Sequence, residues 1–527
     1  MCGILAIFDK NNNSEHIIRS NKILENRGPD SGTIIMENSL KMLFRRLAIM
    51  DTNSTANQPF INKDSKLICN GEIYNYRELK LKHQIITRSD SDCEVIIHLA
   101  DKLGFPEAVM SLDGVFAIVY YTPSRVYFAR DYVGVRPLFS GRTETGGVAF
   151  GSTALSLQNF CREITEVKPG WGYYDVQTKN IFHEPYVYTH IYDKKTRIIG
   201  FNNIVRQTGI LNEYINTVLT KAVTKRLMGD RPMGCLLSGG LDSSLIVSIL
   251  CRLIGPNHVR TFSIGIEGSE DLKNARKVAD YLGTNHTEVL FTPDEGFSYL
   301  TDVIKDLETY DITTIRASIP MWMLSKYIKE NTDIKILLSG EGADELFCGY
   351  LYFHYAPSPD ELKAESARLV ENLHKYDVLR ADRSVSSHGL ELRVPFLDKE
   401  LAKLMLSLKG EMKMPIEGIE KFLLRNSFKK GYLPEEVLWR RKDGMSDGVS
   451  GSKKRWYEEI QERVEPLISD VEYSRYKISF PSKEALYYKK IYDSIFTVYS
   501  PKIDYWLPKW VECGGDPSGR IMKVFEE

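Results

Sequence analysis

The string LLSGGLDSS, Leu236–Ser244, constrains the fold more than any other in this chain. An apolar run leads into it, and the apolar run SSLIVSILCRLIG, closed by Gly255, leads out. A strand that passes through paired glycines into a helix is the turn of a βα unit, because glycine accepts backbone conformations other residues avoid. The pattern then recurs. VRTFSIGI and TEVLF read as strands, SEDLKNARKVADYLG as a helix with Ser269 at its N-cap, and DIKILLS as a strand after two more helices. This alternation predicts a doubly wound parallel sheet, an α/β domain, over residues 206–527. Ligands of such sheets sit beyond the carboxyl ends of the strands, where Leu236–Ser244 falls.

Residues 2–185 have another texture. Short apolar segments such as CGILAIF, KLICN, RVYFAR and WGYYDV recur between turns, and FAIVYY is apolar at every position, which predicts a sheet covered on both faces. CEVIIHLADKLG reads as a helix ended by Gly104. Two sheets layered with helices, an α+β sandwich, fit this half. Residues 186–205 are polar and aperiodic and read as a linker.

A chain of 527 residues has room for about two to four domains. Its 69 basic and 70 acidic side chains leave no excess to neutralise a phosphate backbone, which argues against nucleic acid as a partner. No apolar run approaches the ~20 residues that span a bilayer, so no membrane partner is expected. CGILAIF lacks the basic flank and the length of a signal peptide, and a cytoplasmic location is expected. The eight cysteines form no C-x-x-C pair, and H-E-x-x-H is absent. Cys235 and Cys251 sit in apolar runs as core residues. Only Cys2 invites chemistry.

In the second half, Gly239 and Gly240 let a phosphate oxygen approach the backbone, and the following helix offers its positive end. Ser238, Ser243 and Ser244 add hydroxyl donors, and Asp242 a carboxylate suited to Mg²⁺. No G-K-[ST] follows, so this is not a Walker A loop. LLSGEGADELFCGY repeats the logic with Gly340 and Gly342, then Glu341, Asp344 and Glu345. Acids crowded at a strand end either hold Mg²⁺ or take a proton from a nucleophile, unless they only offset a helix dipole. In WRRKDGMSDG, Lys442 or its arginine neighbours suit phosphoryl charge as well as they suit a solvated turn.

In the first half, a cysteine directly after Met1 becomes an N-terminal nucleophile if Met1 is removed, with its own α-amino group as base. Asn70 beside Gly71 supplies an amide for an oxyanion, and Arg46 and Asp92 supply the two charges that grip a free amino acid. Spacing alone does not show that they converge.

Taken together, these strings resemble the glutamine-hydrolysing asparagine synthetases. The likeness runs through MCGI, RGPDSG, RLAIMD, NGEIYN, SDCE, RDYVGVRPLF, LLSGGLDSS, TYDITTIRAS, SGEGADELFCGYLYF, ELRVPFLDKEL and DPSGR, in that order. It implies an N-terminal-nucleophile αββα sandwich in which Cys2 attacks glutamine. Asn70 and Gly71 would form the oxyanion hole, and Arg46, Asn70, Glu72 and Asp92 would hold glutamine. It implies a second domain like the ATP-pyrophosphatase synthetases. There ATP would lie on Leu236, Ile264, Ser339 and Gly340, with pyrophosphate on Ser238, Gly239, Gly240, Asp242 and Ser243, and Mg²⁺ on Asp242. Glu341 would be the base for attacking ammonia, Lys442 would stabilise phosphate charge, and Arg316 and Asp344 would bind aspartate. The implied reaction makes asparagine, glutamate, AMP and pyrophosphate from aspartate, glutamine and ATP through β-aspartyl-AMP. The oligomeric state is open, a homodimer included. A related amide- or lactam-forming synthetase on the same scaffold is the alternative, and a non-catalytic paralogue the remoter one; intact Cys2 and TTIRAS argue against both.

Overall fold

A computed structural model describes residues 1–10, 14–186, 208–442, 448–451 and 454–511. The linker read at 186–205 lies, except for Tyr186, outside the described residues, as does the string DPSGR. The first half is two six-stranded sheets with antiparallel neighbours. One runs Cys161–Glu166, Phe139–Thr143, Val148–Gly151, Gly3–Phe8, Leu40–Arg46, Ser31–Glu37. The other runs Ile181–Pro185, Gly170–Asp175, Arg125–Arg130, Gly114–Tyr121, Ser65–Ile73, Phe60–Asn62.

Strand side chains alternate between faces, so a strand buried on both sides must be apolar throughout. In Gly3–Phe8, Ile4 and Ala6 point between the sheets toward Phe44, Val119 and Phe128, whereas Leu5 and Ile7 join the helix-side core with Ile17 and Leu24. FAIVYY divides the same way, with Ala117 and Val119 between the sheets and Phe116, Ile118 and Tyr120 on the helix side. The expected helix spans Val95–Leu103 and is capped by Gly104 at φ 85°.

The second half is built on a five-stranded sheet with parallel neighbours, in the order Asn285–Leu290, Arg260–Gly265, Met233–Leu236, Ile336–Leu338, Glu391–Arg393. The strand Glu391–Arg393, inside ELRVPFLDKEL, has no periodic signal because three residues are too few to show one. The topological switch lies between Met233–Leu236 and Ile336–Leu338, and both strands feed glycine-rich loops at that point. Helix α1, Leu241–Ile254, follows the first loop with most of its surface buried. Helix α2, Ile312–Asn331, packs against α3, Asp377–Ser386, and α4, Lys483–Ile495, and α2 and α3 reach the sheet at Arg260–Gly265 and Glu391–Arg393. Among the described residues, no helix is long and apolar enough to cross a membrane.

The two halves meet through buried charge. Arg136 reaches Asp382 at 3.0 Å and Glu391 at 3.8 Å, and Arg393 reaches Glu72 at 3.4 Å. Lys225 pairs with Asp113 at 2.7 Å, and the Tyr132 hydroxyl donates to the Leu397 carbonyl at 2.9 Å. Charges removed from water persist only when paired, so this contact demands one docking geometry.

Candidate active sites

Cys2 enters the strand Gly3–Phe8, with its Sγ 3.7 Å from the Leu47 carbonyl. Burial raises its thiol pKa; the neighbouring chain amine and Arg46 pull it down. The amine in the described chain belongs to Met1, which is itself buried and donates to the Leu390 carbonyl at 3.3 Å. Burial lowers that amine to about 5, so it stays a neutral base near pH 7.

Arg46 Nη1 donates to Asn53 O at 2.7 Å and Asn57 Oδ1 at 3.0 Å, and Nη2 donates to Met50 O at 3.1 Å and to Asp51 O. The guanidinium is thus fixed by the loop that the RLAIMD string forms. Asn70 is 1% exposed, yet neither side-chain polar atom has a hydrogen-bond partner. An orphan buried amide is costly unless something arrives to satisfy it. Gly71 is fixed by space, since a Cβ there would lie 2.4 Å from the Val115 carbonyl oxygen of the adjacent strand. Asp92 Oδ2 accepts from the Ile73 amide at 2.6 Å, and burial raises its pKa to about 6. Glu72 turns toward the second half and pairs with Arg393, and burial, Glu391 and Asp92 hold its carboxyl well above the usual range.

In the second half the two glycine-rich loops touch. A Cβ on Gly340 would lie 2.7 Å from the Ser243 amide and 2.9 Å from Asp242, so only glycine lets the second loop rest on the first turn of α1. That turn starts at Gly240 without a side-chain cap, leaving its amides to a ligand. Ser238 and Ser243 hydroxyls lie 3.0 Å apart, and Ser243 Oγ accepts from the Ser238 amide at 3.2 Å.

A cavity of 230 Å³ opens at this junction. Leu236, Ile264 and Met321 give it apolar wall, while Ser238, Gly240, Asp242, Ser243, Ser339 and Gly340 line its polar end. Gly239 does not line it: at φ 73° it is packed against helix Glu270–Leu282, where a Cβ would meet the Ala275 amide at 2.4 Å. Glu341, Asp344, Arg316 and Lys442 all reach the cavity.

The acids at its floor are wired by cations. Asp242 Oδ2 accepts from Lys421 Nζ at 2.5 Å, while Asp344 Oδ1 lies 2.7 Å from Lys421 Nζ and 2.5 Å from Lys442 Nζ. Burial raises the Asp344 pKa, but the two ammonium groups outweigh it and hold the carboxyl well below the usual range. Asp242 Oδ1 is buried without a donor. One open carboxylate oxygen beside a phosphate-type loop fits Mg²⁺, which takes few protein ligands and completes its shell with phosphates and water. Among the described residues no group of three or more His, Cys, Asp or Glu forms a ready metal cage.

Glu341 accepts from Arg380 Nη2 at 2.8 Å; burial raises its pKa to about 7, against the pull of Arg380. Arg316 reaches the cavity wall, but its guanidinium is forked onto Glu484 of α4, with Nε–Oε1 2.8 Å and Nη2–Oε2 2.5 Å. Lys421, Arg380 and Glu484 escape sequence reasoning because each finds its partner far along the chain, at 179, 39 and 168 residues. No local spacing encodes such contacts.

A sandwich with a cysteine at the start of a central strand, joined to a parallel sheet with a phosphate-type loop, defines a glutamine amidotransferase coupled to an ATP-dependent synthetase. The "Glutamine amidotransferase domain" family matches residues 1–190, and the "Asparagine synthase" family matches 215–368 and 355–510. The chain is 40% identical to the rat asparagine synthetase [glutamine-hydrolyzing] over 558 residues, covering 100% of this chain and 99% of the relative. The human enzyme of that name is 40% identical over 562 residues with the same coverage. The chain belongs to the asparagine synthetase family.

Proposed function

We propose that this chain makes asparagine from aspartate, glutamine and ATP, releasing glutamate, AMP and pyrophosphate. Removal of Met1 frees the Cys2 amine, which takes the thiol proton as the sulfur attacks the glutamine amide carbon and returns it to the departing nitrogen. The C–N bond breaks, ammonia leaves, and water then cleaves the glutamyl thioester to glutamate. Asn70 and the Gly71 backbone receive the oxyanion, a role suited to an amide with no partner of its own. Arg46 binds the α-carboxylate and Asp92 the α-ammonium. Glu72, its carboxyl turned onto Arg393, completes the glutamine site from the side of the domain contact.

In the second site ATP lies along Leu236, Ile264, Ser339 and Gly340, with its β- and γ-phosphates on the turn at Ser238–Ser243. Asp242 would hold Mg²⁺ through Oδ1, and the ion would neutralise phosphate charge there. Lys442 stabilises charge on the phosphates. The observation that carries the reading is Glu341, a buried carboxyl near pKa 7 in the same cavity as the phosphate-type loop. Such a group takes a proton from attacking ammonia at neutral pH. Arg316 meets the aspartate carboxylate only if the substrate displaces or shares Glu484, and Asp344 acts through its two lysines. A boundary within residues 186–205 divides the two activities. The seven described cysteines are all unpaired, which suits a cytoplasmic enzyme.

The test is to incubate the enzyme with Mg·ATP, aspartate and either glutamine or ammonium, identify the amino-acid product and measure pyrophosphate. Asparagine with AMP and pyrophosphate is expected; ADP, or a cyclised product, would overturn the reading.

A further inference from the structure

One helix touches both centres. α3 carries Arg380, whose Nη2 donates to Glu341 Oε2 at 2.8 Å and to Asp377 Oδ1 at 2.9 Å. Asp382, two residues on, faces the other way, since positions two apart on a helix do not share a face. Its Oδ2 accepts from Arg27 Nη2 at 3.4 Å and its Oδ1 from Arg136 Nη1 at 3.0 Å. One turn further, Ser386 Oγ accepts from Arg27 Nη1 at 2.7 Å. Both Nη atoms of Arg27 are therefore tied to α3, and its Nε donates to the Cys2 carbonyl at 3.2 Å. Arg27 and Asp382 are 5% and 1% exposed, so water cannot replace either partner.

We propose that Asp382 is a positioning residue for the Cys2 thiol, acting from the synthetase half through Arg27. The proposal rests on the reading of Cys2 as the group that attacks glutamine. Arg27 has a long side chain with several rotors. Its two anchors on α3 leave the third donor aimed at the backbone of the nucleophile. A guanidinium released from those anchors no longer sets the Cys2 carbonyl, and misplacing a reacting atom by ~1 Å costs up to ~10²-fold in rate. The effect stays local because α3 grips the first half independently. Arg383, beside Asp382, lies 3.6 Å from Glu308, whose carboxylate accepts from the Ala154 and Leu155 amides at 2.9 and 2.8 Å. Arg136 keeps Glu391 at 3.8 Å. The same helix holds the partner of Glu341, so it meets the second centre directly and the first through Arg27.

The experiment uses the full chain with Asp382→Asn and, as a milder change, Ser386→Ala. Three rates are measured: glutamine hydrolysis, ammonium-dependent synthesis, and alkylation of Cys2 by a diazoketone analogue of glutamine. For Asp382→Asn, kcat for hydrolysis and the alkylation rate both fall about tenfold or more, while KM for glutamine and the ammonium-dependent rate stay within about twofold. Ser386→Ala shifts the same two rates the same way by a smaller factor, and it alone decides the matter if Asp382→Asn does not fold. Unchanged hydrolysis and alkylation in the folded variants, or a parallel loss of both synthetic activities, overturns the proposal. If the unsubstituted enzyme neither hydrolyses glutamine nor is alkylated at Cys2, the reading of the first site fails and takes the proposal with it.

Discussion

Lys421 donates to Asp242 across 2.5 Å, although 179 residues separate them in the chain. The same ammonium lies 2.7 Å from Asp344, so one buried lysine joins the acids of the two glycine-rich loops. Without it those carboxylates would face each other with only Lys442 between them and water.

Replacing Lys421 with Met therefore removes pyrophosphate release with either nitrogen donor and also lowers stability. Breaking a buried ion pair from one side costs ~3–5 kcal/mol. Urea unfolding followed by a probe in the second half reads that loss, while glutamine hydrolysis persists in the folded variant. Equal ATP turnover in Lys421→Met and the unsubstituted enzyme would contradict the assignment.

Cys2→Ala separates the two chemistries. Glutamine-dependent synthesis falls by ~10³-fold or more, as expected when a covalent nucleophile is deleted. Ammonium-dependent synthesis stays within about twofold, because Cys2 does not line the cavity of the second site. Product analysis with each donor checks this, and mass spectrometry of active enzyme must find Met1 removed.

As the proposed base for ammonia, Glu341 would set the pH dependence of the second step. Its pKa is about 7, and the base form is the deprotonated one, so the ammonia-dependent rate at fixed free ammonia rises as pH passes through about 7. Glu341→Gln flattens and depresses that profile. Stability runs the other way: the folded state keeps a proton that the unfolded carboxyl has lost, so this contribution is full below the unfolded pKa of 4.5 and drains as pH rises through about 7.

Asp92 has a folded pKa of about 6. In the proposed role its negative form binds the glutamine ammonium, so KM for glutamine rises as pH falls below about 6. Asp92→Asn raises KM by ~10–100-fold above about pH 6, the worth of a charged hydrogen bond of ~1.5–3 kcal/mol, and the difference narrows at lower pH as Asp92 itself becomes neutral. A pH-independent KM in the unsubstituted enzyme would count against this role.

Gly340→Ala places a methyl 2.7 Å from the Ser243 amide, and backbone cannot yield there as a flexible side chain would. Synthesis from either donor is lost, and glutamine hydrolysis remains. Retained ATP binding in this variant, measured by calorimetry, would show that the loops need not touch.

The sequence by itself determined what local patterning can encode. Continuous apolarity at FAIVYY announces a strand buried on both faces, and its alternate residues do divide between two cores. Ser269 and Gly255 cap their helices as residue chemistry dictates, and paired glycines at Leu236–Ser244 mark the turn into α1. Tertiary structure alone decided which distant groups share a site. The three-residue strand Glu391–Arg393 exists because a sheet edge and Glu72 receive it, and Arg316 is committed to Glu484 from a helix 168 residues away. Gly239 looks like its neighbour Gly240 in the string, yet one packs on a helix and the other lines the cavity. Hydrophobic period and turn chemistry act over a few residues. Ion pairs and loop contacts form only after the chain has closed long loops, so their partners are set by topology rather than by spacing.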